Sequence, residues 1–177
     1  LLMLAVFAGM IWYLADYVSS NQEALFNNSY NSQQRVLAQE NTRGTIYAGT
    51  GEVLAQTVIA EDGTSVREYP YKNIFAHVVG YTDKGKTGIE ELENYQLVHS
   101  DISDREKLDH ELAGEKNPGN DVYTTLDTSL QQAASDALGL YRGAIVVTEV
   151  KTGRVLAMVS KPDYDPNKIA ENWETLS

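Results

Sequence analysis

The stretch GAIVVTEVKTGRVLAMVSKPDYDPN, residues 143–167, decides the fold of the last part of this chain. Two short apolar runs, residues 144–147 and 155–159, flank a polar turn at Lys151-Thr152-Gly153. β-Branched runs on both sides of a glycine-containing turn predict a β-hairpin. Proline lacks the N–H donor of a strand, so the hairpin is expected to end before Pro162.

A helix is predicted before this hairpin. SLQQAASDALGL, residues 129–140, repeats apolar residues at helical spacing, and Asp127 or Thr128 can cap its first turn. Residues 122–126 favour a strand and the turn-rich residues 115–120 favour a linker, so we place a domain boundary near Pro118. The predicted apolar face of the helix consists of Leu130, Ala133, Ala134, Ala137 and Leu138.

Residues 43–112 mix strand, turn and helix patterns. RGTIYAGTGEVLAQTV, residues 43–58, alternates around Gly49-Thr50-Gly51 and predicts a hairpin, and a further turn is expected at Asp62-Gly63. Residues 74–79 are a short apolar segment, and an acidic helix is expected after Ser103. The acidic run 90–115 is interpreted as a solvated face. The near-helical stretch 87–98 carries Ile89, Leu92, Tyr95 and Leu97.

Charge and cysteine content exclude several functions. The 177 residues carry 14 basic and 25 acidic side chains, a formal net charge of −11, and no cysteine. Nucleic acid is not an expected partner, because phosphate contacts need clustered Lys and Arg. Disulfides and thiolate metal sites are excluded. The candidates that we interpret as packing, solvent-facing or loop residues are His77, His99, His110, Asp163 and Asp165.

The chain opens on an apolar run, residues 1–15, without any charge. A membrane span needs about 20 apolar residues, so we expect a transmembrane anchor of which a few residues are missing. Trp12 and Tyr13 suit a membrane interface, and no basic residue follows before Arg35, which favours a non-cytoplasmic flank. The alternative is the core of a signal peptide, but no small-x-small cleavage site precedes Asp16.

A phosphate-binding pattern, G-x-x-x-x-G-K-[ST], is matched at every fixed position by residues 80–87. Gly88 weakens the helix whose N-terminus should hold phosphate, and Glu90, Glu91 and Glu93 would repel an anion. The other strands resemble hairpins rather than parallel β-α-β units. Nucleotide binding is therefore the less favoured hypothesis.

Several segments, taken in order, resemble class B penicillin-binding proteins. Residues 143–167 resemble the opening of their transpeptidase domain, and Arg43-Gly44-Thr45-Ile46 with the Gly51–Ala55 stretch resembles "R-G-x-I-x-D-R-x-G-x-x-L-A". Ala48 and Gly49 stand where that family has Asp and Arg. The remaining matches are Arg67 with Tyr69-Pro70, Ala76-His77-Val78-Val79-Gly80-Tyr81, Thr87-Gly88-Ile89-Glu90, and Gly119-Asn120-Asp121-Val122 through Asp127 with Leu130-Gln131.

The resemblance implies an α+β chain with four parts. These are a truncated transmembrane anchor at 1–18, a stalk at 19–42, a pedestal of the penicillin-binding dimerisation type at 43–118, and an incomplete transpeptidase domain at 119–177. We expect a chain cut at both ends. The family's reaction is D,D-transpeptidation by a serine nucleophile in S-x-x-K, followed by S-x-N and K-T-G.

The catalytic motifs of that family are not expected in this chain. No serine is followed by Lys three positions later, and Ser32 leads only to Arg35, which cannot act as a base. The two K-T-G matches, Lys86-Thr87-Gly88 and Lys151-Thr152-Gly153, are interpreted as turns, and the two S-x-N matches, Ser19-Ser20-Asn21 and Ser29-Tyr30-Asn31, as chance. No catalytic, cofactor-binding or metal residue is therefore assigned.

The resemblance also implies a setting. The parent protein would be a single-pass protein of the bacterial plasma membrane with its bulk outside, acting on peptidoglycan stem peptides. It would need no metal or cofactor. Cell-wall synthesis proteins, such as a glycosyltransferase, would be its partners. The alternative is a non-catalytic, membrane-anchored binding module, and an S-x-x-K beyond residue 167 would decide for the enzyme.

Overall fold

The computed structural model describes residues 2–26, 33–60 and 64–176, and it has the predicted mixed α+β class. The expected turn at Asp62-Gly63, the motif Ser29-Tyr30-Asn31 and Ser32 lie outside the described residues.

Three helices open the chain: α1 (Leu2–Ser20), α2 (Gln22–Phe26) and α3 (Gln33–Glu40). In the described part of the chain, α1 alone is long and apolar enough to cross a membrane, and none of its 19 residues is buried. The expected stalk, residues 19–42, thus includes regular helix, and its last two residues form a strand.

Six short strands follow in the pedestal region. They are β1 (Asn41–Thr42), β2 (Ile46–Tyr47), β3 (Val53–Ile59), β4 (Ser65–Glu68), β5 (Asn117–Pro118) and β6 (Val122–Tyr123). One sheet has the order β4-β3-β2-β6, with antiparallel β4-β3 and β3-β2 pairs and a parallel β2-β6 pair. The hairpin predicted around Gly49-Thr50-Gly51 is confirmed as β2-β3. A separate parallel pair joins β1 to β5.

Strand β6 is shorter than predicted, and it carries the pedestal sheet past the boundary expected near Pro118. Val122 pairs with Ile46, so the sheet contains residues from both sides of the boundary expected near Pro118. The predicted strand over 122–126 stops at Tyr123. There the Thr124 hydroxyl donates to the Tyr47 carbonyl at 3.0 Å and accepts from the Leu126 N–H at 3.2 Å. Side-chain hydrogen bonds of this kind compete with a ladder.

Helices α4 (Ala76–Val79), α5 (Gly88–Leu92) and α6 (Asn94–Val98) cover the sheet. The predicted helix over 87–98 is broken at Glu93, whose ψ is 18°. Its predicted apolar face is wrong at Leu92, which is 70% exposed, while Glu90 is fully buried. The core formed here consists of Ile46, Ala48, Leu54, Ala55, Tyr69, Phe75, Val79, Leu97 and Leu126.

The acidic helix predicted after Ser103 is confirmed as α7 (Asp104–Ala113). The Ser103 side chain accepts from the Glu106 N–H while the Glu106 carboxylate accepts from the Ser103 N–H, which is a capping box. Gly114 ends the helix in the left-handed conformation, with a φ of 70°. No residue of α7 is buried, so this part of the acidic run is solvated as expected.

Helix α8 (Thr128–Leu138) is capped by Asp127, whose carboxylate accepts from the Leu130 N–H at 2.9 Å. It packs against an antiparallel hairpin of β7 (Gly143–Thr148) and β8 (Val155–Lys161). The hairpin and its end before Pro162 are confirmed. The chain continues into α9 (Ile169–Leu176).

The predicted apolar face of α8 is wrong except at Ala134. Its buried residues are Gln131, Ala134 and Ser135, while Leu130 is 38% exposed. The Gln131 amide accepts from the Met158 N–H and donates to the Met158 carbonyl, both at 2.8 Å, on the side of β8 away from β7. A polar side chain therefore holds the helix to the strand, because it satisfies backbone groups that would otherwise be buried without partners.

Candidate functional site

A buried ionic cluster joins three of the sequence motifs in the pedestal. Its centre is Glu90, whose carboxylate accepts from Arg43 Nε at 2.6 Å and from Arg67 Nε at 2.7 Å. The Glu90 side chain is fully buried, and the Arg43 and Arg67 side chains are only 13% and 8% exposed. The Tyr69 hydroxyl lies 3.3 Å from the same carboxylate. We call these residues, with Asn94, the Glu90 cluster.

The members of the Glu90 cluster come from several parts of the pedestal. Arg43 lies between β1 and β2, Arg67 lies in β4 and Tyr69 directly after it, Glu90 lies in α5, and Asn94 begins α6. Arg43 also donates to the Asn94 amide oxygen at 2.8 Å and to the Glu90 carbonyl at 2.6 Å. The acidic run was interpreted as a solvated face, and for Glu90 that interpretation is wrong because two guanidiniums draw its carboxylate inside.

The electrostatics of the cluster favour a structural role. Burial lowers the pKa of Arg43, although the Glu90 carboxylate opposes that effect. Burial and the same carboxylate raise the pKa of Tyr69, so its hydroxyl remains a neutral donor. A buried ion pair that loses one partner leaves an uncompensated charge, at a cost of about 3–5 kcal/mol. The cluster therefore fixes how α5 sits against the sheet.

A second set of contacts joins the pedestal to the loop after β8. The Asn167 side chain accepts from the Tyr69 N–H at 2.9 Å and donates to the Tyr69 carbonyl at 3.0 Å. Asn73 donates to the Asp163 carboxylate at 2.8 Å, and His77 Nε2 lies 2.8 Å from the Pro162 carbonyl. We call this set of contacts, together with the hydrogen bonds made by Tyr164 and Gln131, the junction.

The junction also includes contacts to α4 and to the turn before it. The Tyr164 hydroxyl donates to the Ala76 carbonyl at 3.0 Å, and Gln131 donates to the Ile74 carbonyl at 2.8 Å. Burial raises the pKa of Tyr164, which keeps its hydroxyl protonated as a donor. Side chains from residues 131–167 thus bond to the backbone of residues 69–76. The sequence did not predict the junction, although Tyr69 belongs to the Tyr69-Pro70 motif and Asp163, Tyr164 and Asn167 belong to the D-Y-D-P-N motif.

The phosphate-loop pattern at residues 80–87 lacks the structure that such a loop requires. A phosphate loop connects a strand to a helix, whereas this segment follows helix α4 and precedes a helix of five residues. Gly80 has a φ of 86°, and a Cβ at this position would lie 1.9 Å from the Thr87 carbonyl oxygen. This close approach of two backbone segments explains the glycine.

The two K-T-G triplets lie at a hairpin turn and at the start of a short helix. Lys151-Thr152-Gly153 forms the β7-β8 turn, where Gly153 has a φ of 75° and the Thr152 hydroxyl donates to Glu149. Lys86-Thr87-Gly88 leads into α5. Asp163 and Asp165 lie in the loop as predicted, with Asp165 capping the turn through the Asn167 N–H at 3.0 Å.

Comparison with known protein families agrees with the motifs in residues 43–122 and 143–167. Residues 43–122 match the family profile of the penicillin binding protein A dimerisation domain, and residues 143–176 match that of the penicillin binding protein transpeptidase domain. The peptidoglycan D,D-transpeptidase PbpA of Mycolicibacterium smegmatis is 41% identical over 164 residues, which cover 81% of this chain and 33% of that protein.

Two solved structures extend the likeness to the fold. Penicillin-binding protein A from Mycobacterium tuberculosis, an imipenem acyl-enzyme complex, has a TM-score of 0.67 and 32% identity over 77% of this chain and 35% of its own. A D,D-transpeptidase domain of a peptidoglycan glycosyltransferase from Eggerthella lenta has a TM-score of 0.63 and 40% identity over 77% of this chain and 29% of its own.

The fold of this chain, its Glu90 cluster and its two family matches define a class of protein. In this class a penicillin-binding dimerisation domain precedes a transpeptidase domain. The chain belongs to the class B penicillin-binding proteins. It spans about a third of the length of the M. smegmatis relative.

Proposed function

We propose that this chain anchors and orients the catalytic part of a peptidoglycan D,D-transpeptidase that works in bacterial cell-wall synthesis. The junction is the observation that carries the proposal. It ties the loop after β8, which belongs to the transpeptidase match, to the backbone around Tyr69 in the pedestal. A pedestal bonded in this way to the first elements of a catalytic domain sets the position of that domain.

The proposed division keeps an anchor at residues 1–18, a stalk at 19–42, a pedestal at 43–118 and the start of the transpeptidase domain at 119–177. Strand β6, which follows the boundary at residue 118, nevertheless pairs with β2 in the pedestal sheet. We assign no catalytic, cofactor-binding or metal residue within this chain, because its sequence contains no S-x-x-K serine.

The proposed setting is the bacterial plasma membrane, crossed once by α1, with the rest of the chain outside. The support is the apolar α1 and the lack of basic residues between Asp16 and Arg35. Peptidoglycan stem peptides would be the substrate of the whole protein. Cell-wall synthesis proteins, including a glycosyltransferase, would be its partners.

Fluorescent penicillin tests this proposal. A protein that continues from this chain through a complete transpeptidase domain should be labelled covalently at the serine of S-x-x-K, and the 177-residue chain should remain unlabelled. Labelling of the 177-residue chain that survives a denaturing gel would contradict the absence of a nucleophile. A continuation without S-x-x-K would favour the alternative, a membrane-anchored binding module.

A further inference from the structure

A small basic cavity lies beside the Glu90 cluster, and the proposed function makes no use of it. Its volume is about 230 Å³, and its lining includes four cations and several hydroxyl groups. The residues that matter here are Arg43, Arg67, Lys86, Lys116, Thr57 and Thr82. Among the residues that the structure describes, no Asp or Glu lines this cavity.

Arg67, one of the two arginines that line the cavity, is buried and has one donor atom without a partner. Arg67 donates from Nε to the Glu90 carboxylate and from Nη1 to the Gly44 carbonyl, at 2.7 Å in each case. Its Nη2 atom is buried and has no hydrogen-bond partner within the described ranges. A buried donor without a partner is costly, and more so when it is charged, so an anion acceptor at this position would be stabilising.

The charge of the site is unbalanced. Glu90 neutralises one unit of the two guanidiniums, while Lys86 and Lys116 add two further cations on the exposed side. Desolvation and the nearby Arg43 lower the pKa of Lys86, while the carboxylates of Glu90 and Glu91 act in the opposite direction. This local excess of positive charge lies in a chain whose net charge is −11.

We propose that this cavity binds a small phosphate-type anion, a phosphate or diphosphate group, free or on a lipid headgroup. Arg43 and Arg67 would donate from the buried side, and Lys86 and Lys116 would close on the anion from the solvent side. Charge-assisted hydrogen bonds from Arg and Lys are the contacts that phosphate oxygens prefer. The volume lies below the roughly 300–1,000 Å³ of pockets for drug-sized ligands, so a nucleotide does not fit.

Lys86 and Thr82 belong to the phosphate-loop pattern at residues 80–87, but their proposed role is different. In a phosphate loop the lysine acts together with the N-terminus of a helix. Here Lys86 would instead act together with the three other cations that line the cavity. The inference goes beyond the proposed function, and its failure would leave that function untouched.

The test is calorimetric titration of sodium pyrophosphate into the 177-residue chain in a zwitterionic detergent. We expect saturable binding that weakens as sodium chloride is raised. Lys86→Gln and Lys116→Gln should each weaken it about tenfold, since each removes a charged donor. Neither lysine takes part in the Glu90 cluster, so both variants should fold, which far-ultraviolet circular dichroism can verify.

The matched control is Lys84→Gln, which removes the same charge from the same loop outside the cavity lining. It should bind pyrophosphate as the parent does. Displacement of pyrophosphate by micelles containing phosphatidic acid, and not by micelles containing phosphatidylcholine, assigns a lipid headgroup, whereas displacement by neither assigns a free anion. The proposal is overturned if the parent chain shows no saturable binding, or if Lys84→Gln weakens binding as much as Lys86→Gln.

Discussion

Replacing Glu90 by Gln removes the negative charge that two buried guanidiniums share. The carboxylate is fully buried and lies 2.6 and 2.7 Å from the Nε atoms of Arg43 and Arg67, whose side chains are 13% and 8% exposed. Water cannot replace it at so little exposure. The variant therefore keeps two like charges close together in a poorly solvated place, and the expected loss of unfolding free energy is about 3–5 kcal/mol.

Urea unfolding of the 177-residue chain in mild detergent measures this loss. Urea slopes of small proteins are about 1–3 kcal/mol per molar, so a loss in the middle of the expected range lowers the midpoint by about 2 M. Tryptophan fluorescence is a poor probe here, because Trp12 lies in α1 and Trp173 in α9. Far-ultraviolet circular dichroism follows the pedestal better.

Glu91→Gln is the matched control for this experiment. Glu91 follows Glu90 in α5 and is exposed, and its replacement by Gln removes the same charge. Its variant should unfold within about 0.5 kcal/mol of the parent, as is usual for surface substitutions. A change below about 1 kcal/mol for Glu90→Gln, or equal changes for both variants, would refute the argument that the cluster holds α5 in place.

Three further predictions follow from other parts of the structure. Hydrogen exchange should be slow at the Met158 amide, whose N–H donates to the Gln131 side chain. It should be fast at the Val146 amide, whose N–H points to the side of β7 that faces away from β8. Equal exchange rates at the two amides would contradict this. Ser103→Ala removes the capping box and should destabilise α7 by about 1 kcal/mol, measured as faster exchange in that helix only. The pKa of Tyr69 is raised on folding, so the unfolded chain loses this proton first, and stability should fall above about pH 10. Tyr69→Phe should flatten that decline in urea titrations at alkaline pH, and an equally steep decline in the variant would contradict this assignment.

The sequence predicted the elements whose information is local. The β7-β8 hairpin, its turn at Gly153 and its end before Pro162 all depend on residues close together in the chain. The same holds for α7, whose capping box is a four-residue pattern. Such features are specified by neighbouring residues, so a single sequence suffices to predict them.

The errors arose where a distant partner decides the outcome. Glu90 lies among acidic residues and has the pattern of a solvated face, but its partners are Arg43 and Arg67, 47 and 23 residues away. Gln131 likewise gives α8 a polar buried face because Met158 offers it two backbone groups. The two-residue strands β1 and β5, which the sequence did not predict, are too short to show any periodicity.

Tyr69 explains why motifs that lie far apart in the sequence meet in one structure. Its hydroxyl reaches the Glu90 carboxylate at 3.3 Å, while its backbone N–H and carbonyl both bond to the Asn167 side chain. The Glu90 cluster and the junction are therefore one connected network, which runs from the pedestal core through Tyr69 to the loop after β8. Because both of these Asn167 hydrogen bonds end on the backbone of Tyr69, which directly follows β4, a displacement of β4 is expected to move Asn167 as well. This coupling links the pedestal to the elements that follow.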